Sequence, residues 1–161
     1  LFLRRTVGNI NLKQREMKTI SGKIFIVKVA VERQQEDGLV KKVKEEYSVK
    51  AVSFTDCEAK ITQEAGSADN VKSTFEVLSE AIAPYSEVYL HDDGEKYYKV
   101  KVVNIFIDEV TGKEKKTATY YLVNADTLEQ ARKRIEQALG DTLTDYAIAA
   151  VIEQNTVGVI E

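Results

Sequence analysis

Cysteine, histidine and proline each occur once, as Cys57, His91 and Pro84. A lone cysteine excludes an internal disulfide framework and any metal site built on several thiolates. It also fits a reducing cytoplasm, where we expect the chain to reside. A lone histidine leaves no His–His metal pair, and it gives a thiol or hydroxyl nucleophile a single candidate base. No apolar run approaches the roughly 18 residues a membrane span needs, so no membrane partner is expected. Neither G-x-x-x-x-G-K-[ST] nor G-x-G-x-x-G occurs, which removes the two commonest backbone cradles for phosphates. Gly38 and Gly112 are isolated turn glycines.

Charge is plentiful but weakly biased. Hydrophobic residues make up 43% of 161 residues and charged ones 30%, with a net charge of −3. That balance describes a soluble globular chain, either one ordinary domain or two very small ones. Residues 1–16 carry Arg4, Arg5, Lys13 and Arg15 against Glu16, a net of +3, which leaves −6 on residues 17–161. An acidic body matches a phosphate backbone poorly, so nucleic acid is disfavoured as a partner. Composition shifts at Met17. We expect translation to start there, with residues 1–22 as an N-terminal extension that lies outside the native domain up to Met17.

The strongest signal is repetition. "YSVKAVSFTDCEAKITQEAG" at 47–66 aligns with 121–140 at a shift of 74. Tyr47, Val49, Ala51, Ile61, Gln63 and Gly66 meet Tyr121, Val123, Ala125, Ile135, Gln137 and Gly140. The same shift places Gly38 on Gly112. A shift of 73 puts Lys23, Val27, Lys28 and Val29 on Lys96, Val100, Lys101 and Val102. Ordered matches at pattern-defining positions indicate an internal duplication of about 70 residues.

Each copy reads as strand, strand, helix, strand. Phe25, Val27, Val29 and Val31 alternate with polar residues, which is the period of a half-buried strand. "QQEDG" turns the chain, and Val43, Tyr47, Val49 and Ala51 return it. Tyr98, Val100 and Val102, the turn "EVTG", and Tyr121, Val123 and Ala125 repeat that hairpin. Ser53 and Thr127 stand at helix N-cap positions, with Asp56 and Gln130 three residues on. The expected apolar stripes are Phe54, Cys57, Ile61 and Ala65, then Leu128, Ala131, Ile135, Ala138 and Leu139. Gly66 and Gly140 mark the helix ends. The closing segments 75–90 and 146–161 are equal in length, and Pro84 falls opposite Asn155, so a break is expected at both positions. The reading is an α+β fold: a tandem duplication of a β-β-α-β unit, with antiparallel sheet and one helix per repeat. The first repeat spans 23–90, a connector 91–95 and the second repeat 96–161, together forming one domain.

The pattern "KVKV…TGKEKKTATYYLVNADTLEQARKRIEQALG…YAIAAVIE" resembles an uncharacterised family from Bacteroidales genomes, the domain-of-unknown-function family with serial number four-four-nine-four. The resemblance covers Lys23 to Glu161. It implies a bacterial cytoplasmic protein, often encoded near mobile-element or phage-like genes. It brings no catalytic or ligand residues.

Candidate chemistry is sparse. His91 lies in "YLHDDGE", whose composition suits a connector turn better than a metal site. Cys57 sits on an apolar helix stripe, opposite Ala131 of the other copy, and reads as core. The carboxylates Glu32, Glu36, Asp37, Asp108 and Glu109 flank turns with no spacing that imposes acid–base geometry. No enzyme activity and no cofactor are expected. Tyr97, Lys99 and Lys101, with Tyr120 across from them, mix aromatic and cationic groups on one strand face. Such a face could hold a small nucleotide ligand, although lysines also guard exposed sheet edges. Val103, Ile105 and Ile107, with Leu122 nearby, make the second hairpin apolar on its outer side as well. A hairpin apolar on both sides needs cover on both. That cover is either intramolecular or a protein partner, including a homo-oligomer. The leading expectation is a non-enzymatic interaction protein. The alternatives are a small-nucleotide binding or sequestering protein and an uncharacterised enzyme.

Overall fold

A computed structural model describes residues 17–66, 75–140 and 145–161. In chain order the described elements are β1 (Met17–Ser21), β2 (Ile24–Gln34), β3 (Val40–Lys50), α1 (Phe54–Gly66), β4 (Glu76–Ile82), β5 (Tyr85–His91), β6 (Lys96–Ile107), β7 (Glu114–Ala125), α2 (Leu128–Leu139), β8 (Asp145–Gln154) and β9 (Thr156–Ile160). The fold is α+β, with two mixed sheets among the described residues. The expected extension over 1–16 and the side chains of Ala65 and Gly66 lie outside the described residues. No helix among those described is long and apolar enough to cross a membrane.

The chain divides into two compact units. One takes the described residues of 21–84 together with 155–161. Its four-stranded sheet has the order β4-β2-β3-β9. The alternation read from the sequence sets the register, with Phe25 opposite Val49, Val27 opposite Tyr47 and Val31 opposite Val43. Gly38 closes the hairpin at φ +83°, a conformation open to glycine without strain. Ser53 Oγ accepts from the Asp56 N–H at 3.1 Å, and Asp56 reaches back to the Val52 N–H at 3.0 Å, so α1 starts where its cap requires. The helix covers one sheet face. Phe25, Val27, Val29, Val31, Val49, Cys57 and Ile61 form the buried cluster between them.

The other unit holds the described residues of 85–154 and residues 17–20. Its five-stranded sheet has the order β1-β5-β7-β6-β8. Tyr98, Val100, Val102, Val123, Ala131 and Ile135 form its core under α2. Thr127 Oγ1 accepts from the Gln130 N–H at 3.1 Å, Gln130 Oε1 accepts from the Asp126 N–H at 2.8 Å, and Gly140 ends the helix at φ 55°. Residues 17–21 of the expected extension form the edge strand β1, and Ile20 on it is 1% exposed.

Three expectations change. The sheets are mixed, not wholly antiparallel. β9 runs parallel to β3, and β5 runs parallel to β7. The cause is the expected break at Ala83–Pro84 and at Asn155: past it, each closing segment starts a second strand. Next, the copies at 23–90 and 96–161 do not coincide with the units. β5 follows β4 in the chain but pairs with β7, and β9 follows β8 but pairs with β3. Finally, the helix stripes begin later than expected. Leu128 is 54% exposed while Arg134 is buried beside Ala131 and Ile135. Phe54 is half exposed and sets its ring edge against Phe25, centroids 4.9 Å apart.

Both sheets carry the same irregularities. The ladder of β2 with β4 shifts between Lys28 and Val29, and that of β6 with β8 between Lys101 and Val102. The ladder of β3 with β9 shifts between Glu46 and Tyr47, and β5 with β7 skips one residue between the partners of Tyr120 and Tyr121. These positions obey the offsets of 73 and 74 that align the sequence.

Candidate functional site

Strand alternation decides which side chains share a face. On β6, Tyr98, Val100 and Val102 turn to α2. Tyr97, Lys99, Lys101, Val103, Ile105 and Ile107 therefore occupy the opposite face. In the β6–β7 register Lys99 stands opposite Leu122 and Lys101 opposite Tyr120. The structure thus brings Tyr97, Lys99, Lys101 and Tyr120 together and continues the same face into Val103, Ile105 and Ile107. Two sites read separately in the sequence are one strip.

That strip is graded. At one end the Lys99 Nζ lies 5.0 Å from the Tyr120 ring centroid, a cation–π contact. Tyr97 is half-buried, and burial raises its pKa. Leu122, expected on an outer surface, is fully buried and pairs in register with Val88, also fully buried. The far end is more open. Among the described residues, β8 pairs with β6 as far as Ile105 opposite Asp145. Beyond it Ile107 is 74% exposed, Val110 is 93% exposed, and Phe106 is also open to solvent. Lys113, Lys115 and Lys116 stand around this tip, and Lys115 pairs with Asp108 at 2.9 Å.

A second cluster holds the turn between β5 and β6. Arg134 donates through one guanidinium nitrogen to the Asn124 carbonyl at 2.6 Å and the Asp93 carbonyl at 2.8 Å, and through the other to Asp93 Oδ1 at 2.6 Å. The Asn124 amide accepts from the His91 N–H at 2.7 Å and donates to the carbonyls of His91, Asp93 and Gly94. These bonds fix backbone. His91 is drawn in as part of a connector, consistent with its turn composition. Burial lowers its pKa first, and the neighbouring Arg134 charge lowers it further. The sequence reading missed this cluster. Its one available signal was a helical Arg flanked by Ala131 and Ile135, three residues and one residue away, on the buried stripe.

Cys57 is fully buried, as expected of a core residue. Burial, reinforced by Glu80, pushes its thiol up to about 11, so it stays protonated at neutral pH and is a poor nucleophile. Arg33, Glu45 and Tyr47 form a third polar group on the β2–β3 hairpin. Arg33 Nε donates to Glu45 at 2.7 Å and the Tyr47 hydroxyl donates to it at 2.6 Å. These bonds hold the Glu45 carboxylate below its ordinary range despite its burial.

The family described as Domain of unknown function (DUF4494) matches residues 23–161, and the chain belongs to it. No curated protein and no solved structure matches.

Proposed function

We propose that the chain is a tandem duplication of a β-β-α-β-β unit that serves as a non-enzymatic interaction protein, with the far end of the β6–β7 hairpin as its contact surface for a protein partner. The duplication is supported by paired registers, bulges and caps that recur at the sequence offsets. A single unit of that size buries too little surface to be secure, which gives the second copy a physical role.

The observation that carries the contact surface is the exposure of Phe106, Ile107 and Val110 at the far end of the hairpin. Large side chains left in water on a paired hairpin lose burial that a partner can restore, at roughly 1.5–3 kcal/mol for each one fully covered. The lysines around them supply a polar rim. A second reading, a small nucleotide held at Tyr97, Lys99, Lys101 and Tyr120, draws support from the cation–π contact. It is weaker because the Lys99 ammonium already occupies the ring face that a base would need.

The test compares wild type with an Ile107→Asp/Val110→Asp double variant, both residues being exposed and free to change without touching a core. Sedimentation reports self-association, and capture from native lysate reports other partners. The expected result is that complexes formed by wild type weaken at least ~10-fold in the variant while its melting temperature holds. A monomeric wild type whose captured proteins are retained equally by the variant would remove the reading.

A further inference from the structure

The two sheets share their registers, so a difference at matched positions carries information. Just before the ladder shift in the five-stranded sheet, Tyr85 lies opposite Tyr120, and Lys101 faces Tyr120 across the hairpin. Tyr85 is 5% exposed. The matching places in the four-stranded sheet hold Thr156 opposite Glu46, with Lys28 across from Glu46. Two tyrosines are thus replaced by a threonine and a glutamate, and aromatic volume is withdrawn from that spot. A cavity of about 440 Å³ stands there, lined by Lys28, Lys44, Glu45, Glu46, Leu78 and Asn155. All six belong to one unit. The volume is in the range of small-molecule sites.

The lining has a definite charge logic. Glu45 is already committed to Arg33 and Tyr47. Glu46 accepts from the Thr156 hydroxyl at 3.4 Å. Lys28 and Lys44 form no ion pair among the described residues. Lys28 and Lys44 balance Glu45 and Glu46 within the lining, and Arg33, paired with Glu45, brings the group to a net +1, with both ammonium groups outside any described ion pair. Leu78, the extra residue of the bulge in β4, adds an apolar wall that is 43% exposed. Asn155, at the break between β8 and β9, adds an amide that can donate and accept.

We propose that this cavity binds a small organic oxyanion with an aromatic body. The carboxylate or phosphate group lies between Lys28 and Lys44, and the ring fills the space that tyrosines take in the matching sheet and rests on Leu78. The proposal does not depend on the hairpin contact surface, which uses other residues of the other unit.

Phenyl phosphate, benzoate, inorganic phosphate and neutral benzamide are titrated into the full chain while amide chemical shifts are followed. The expected result is saturable shifts at Glu46, Leu78 and Asn155 with phenyl phosphate or benzoate, and at least ~10-fold weaker response to benzamide. Lys28→Met and Lys44→Met each weaken the oxyanion at least ~10-fold, as the loss of a charge-assisted bond predicts. Glu46→Tyr, which refills the cavity, abolishes binding in a protein that keeps its circular dichroism. Should that variant fail to fold, the Lys28→Met/Lys44→Met pair decides alone, since both side chains are exposed. No saturable shift, benzamide binding as tightly as benzoate, or unchanged affinity in the lysine variants would overturn the proposal. Binding by inorganic phosphate equal to that of phenyl phosphate would overturn the aromatic part.

Discussion

Gly94→Ala lowers stability by about 3 kcal/mol, a sum of backbone strain and steric conflict. Gly94 holds φ +114°, where side chains with a Cβ are strained. A Cβ there would also sit 2.8 Å from both the Cα and the N of Ala125, and 2.9 Å from the Arg134 guanidinium. The Ala125 backbone cannot yield freely, because it pairs with Lys96 at the end of the β6–β7 ladder. Gly38→Ala separates the two contributions. Gly38 also has a positive φ, but a Cβ there meets nothing within 4 Å, so only strain remains, about 1 kcal/mol. Urea denaturation followed by circular dichroism measures both variants. Equal losses would mean that the close approach at Gly94 carries no energy.

Arg134→Met costs about 3 kcal/mol, and the loss comes from the backbone it serves more than from its ion pair. Asp93 is 74% exposed, so its attraction to the guanidinium is screened and contributes less than about 1 kcal/mol. The Asn124 carbonyl loses a charged donor, at roughly 1–3 kcal/mol when no replacement arrives, and the Asp93 carbonyl keeps only its bond from the Asn124 amide. Arg134→Lys recovers about half of the loss. A lysine already does the simpler version of this task at the matching place, where the Lys60 Nζ donates to the Lys50 carbonyl at 2.8 Å. Denaturation midpoints for the Met and Lys variants give the comparison, and an Arg134→Met protein as stable as wild type would contradict it.

Local patterns were legible in the sequence because local physics sets them. Alternation gave the β2–β3 and β6–β7 hairpins, the Ser53 and Thr127 caps gave the helix starts, and Pro84 and Asn155 gave the breaks. What stayed hidden was long-range. Nothing in residues 85–91 states that their ladder is with 120–123, since strand periodicity fixes a face and not a neighbour. That gap produced the antiparallel expectation. The charge of Arg134 gives no local sign of burial, since a charged helix residue ordinarily faces solvent, and its buried position is sustained by three acceptors on Asp93 and Asn124. The strip of Tyr97, Lys99, Lys101 and Tyr120 was legible because its members are two apart on one strand and directly or diagonally across on the next. The cavity beside Lys28 was not, since it arises from what Glu46 and Thr156 fail to fill.

The reciprocal placement of β5 and β9 is the claim on which the remaining readings stand, and inter-strand nuclear Overhauser contacts test it most directly. The account predicts backbone contacts linking residues 47–49 to 158–160 and residues 87–89 to 121–123, in parallel register. Contacts that instead join 85–91 to strands of the four-stranded sheet, or 156–160 to strands of the five-stranded sheet, would contradict it.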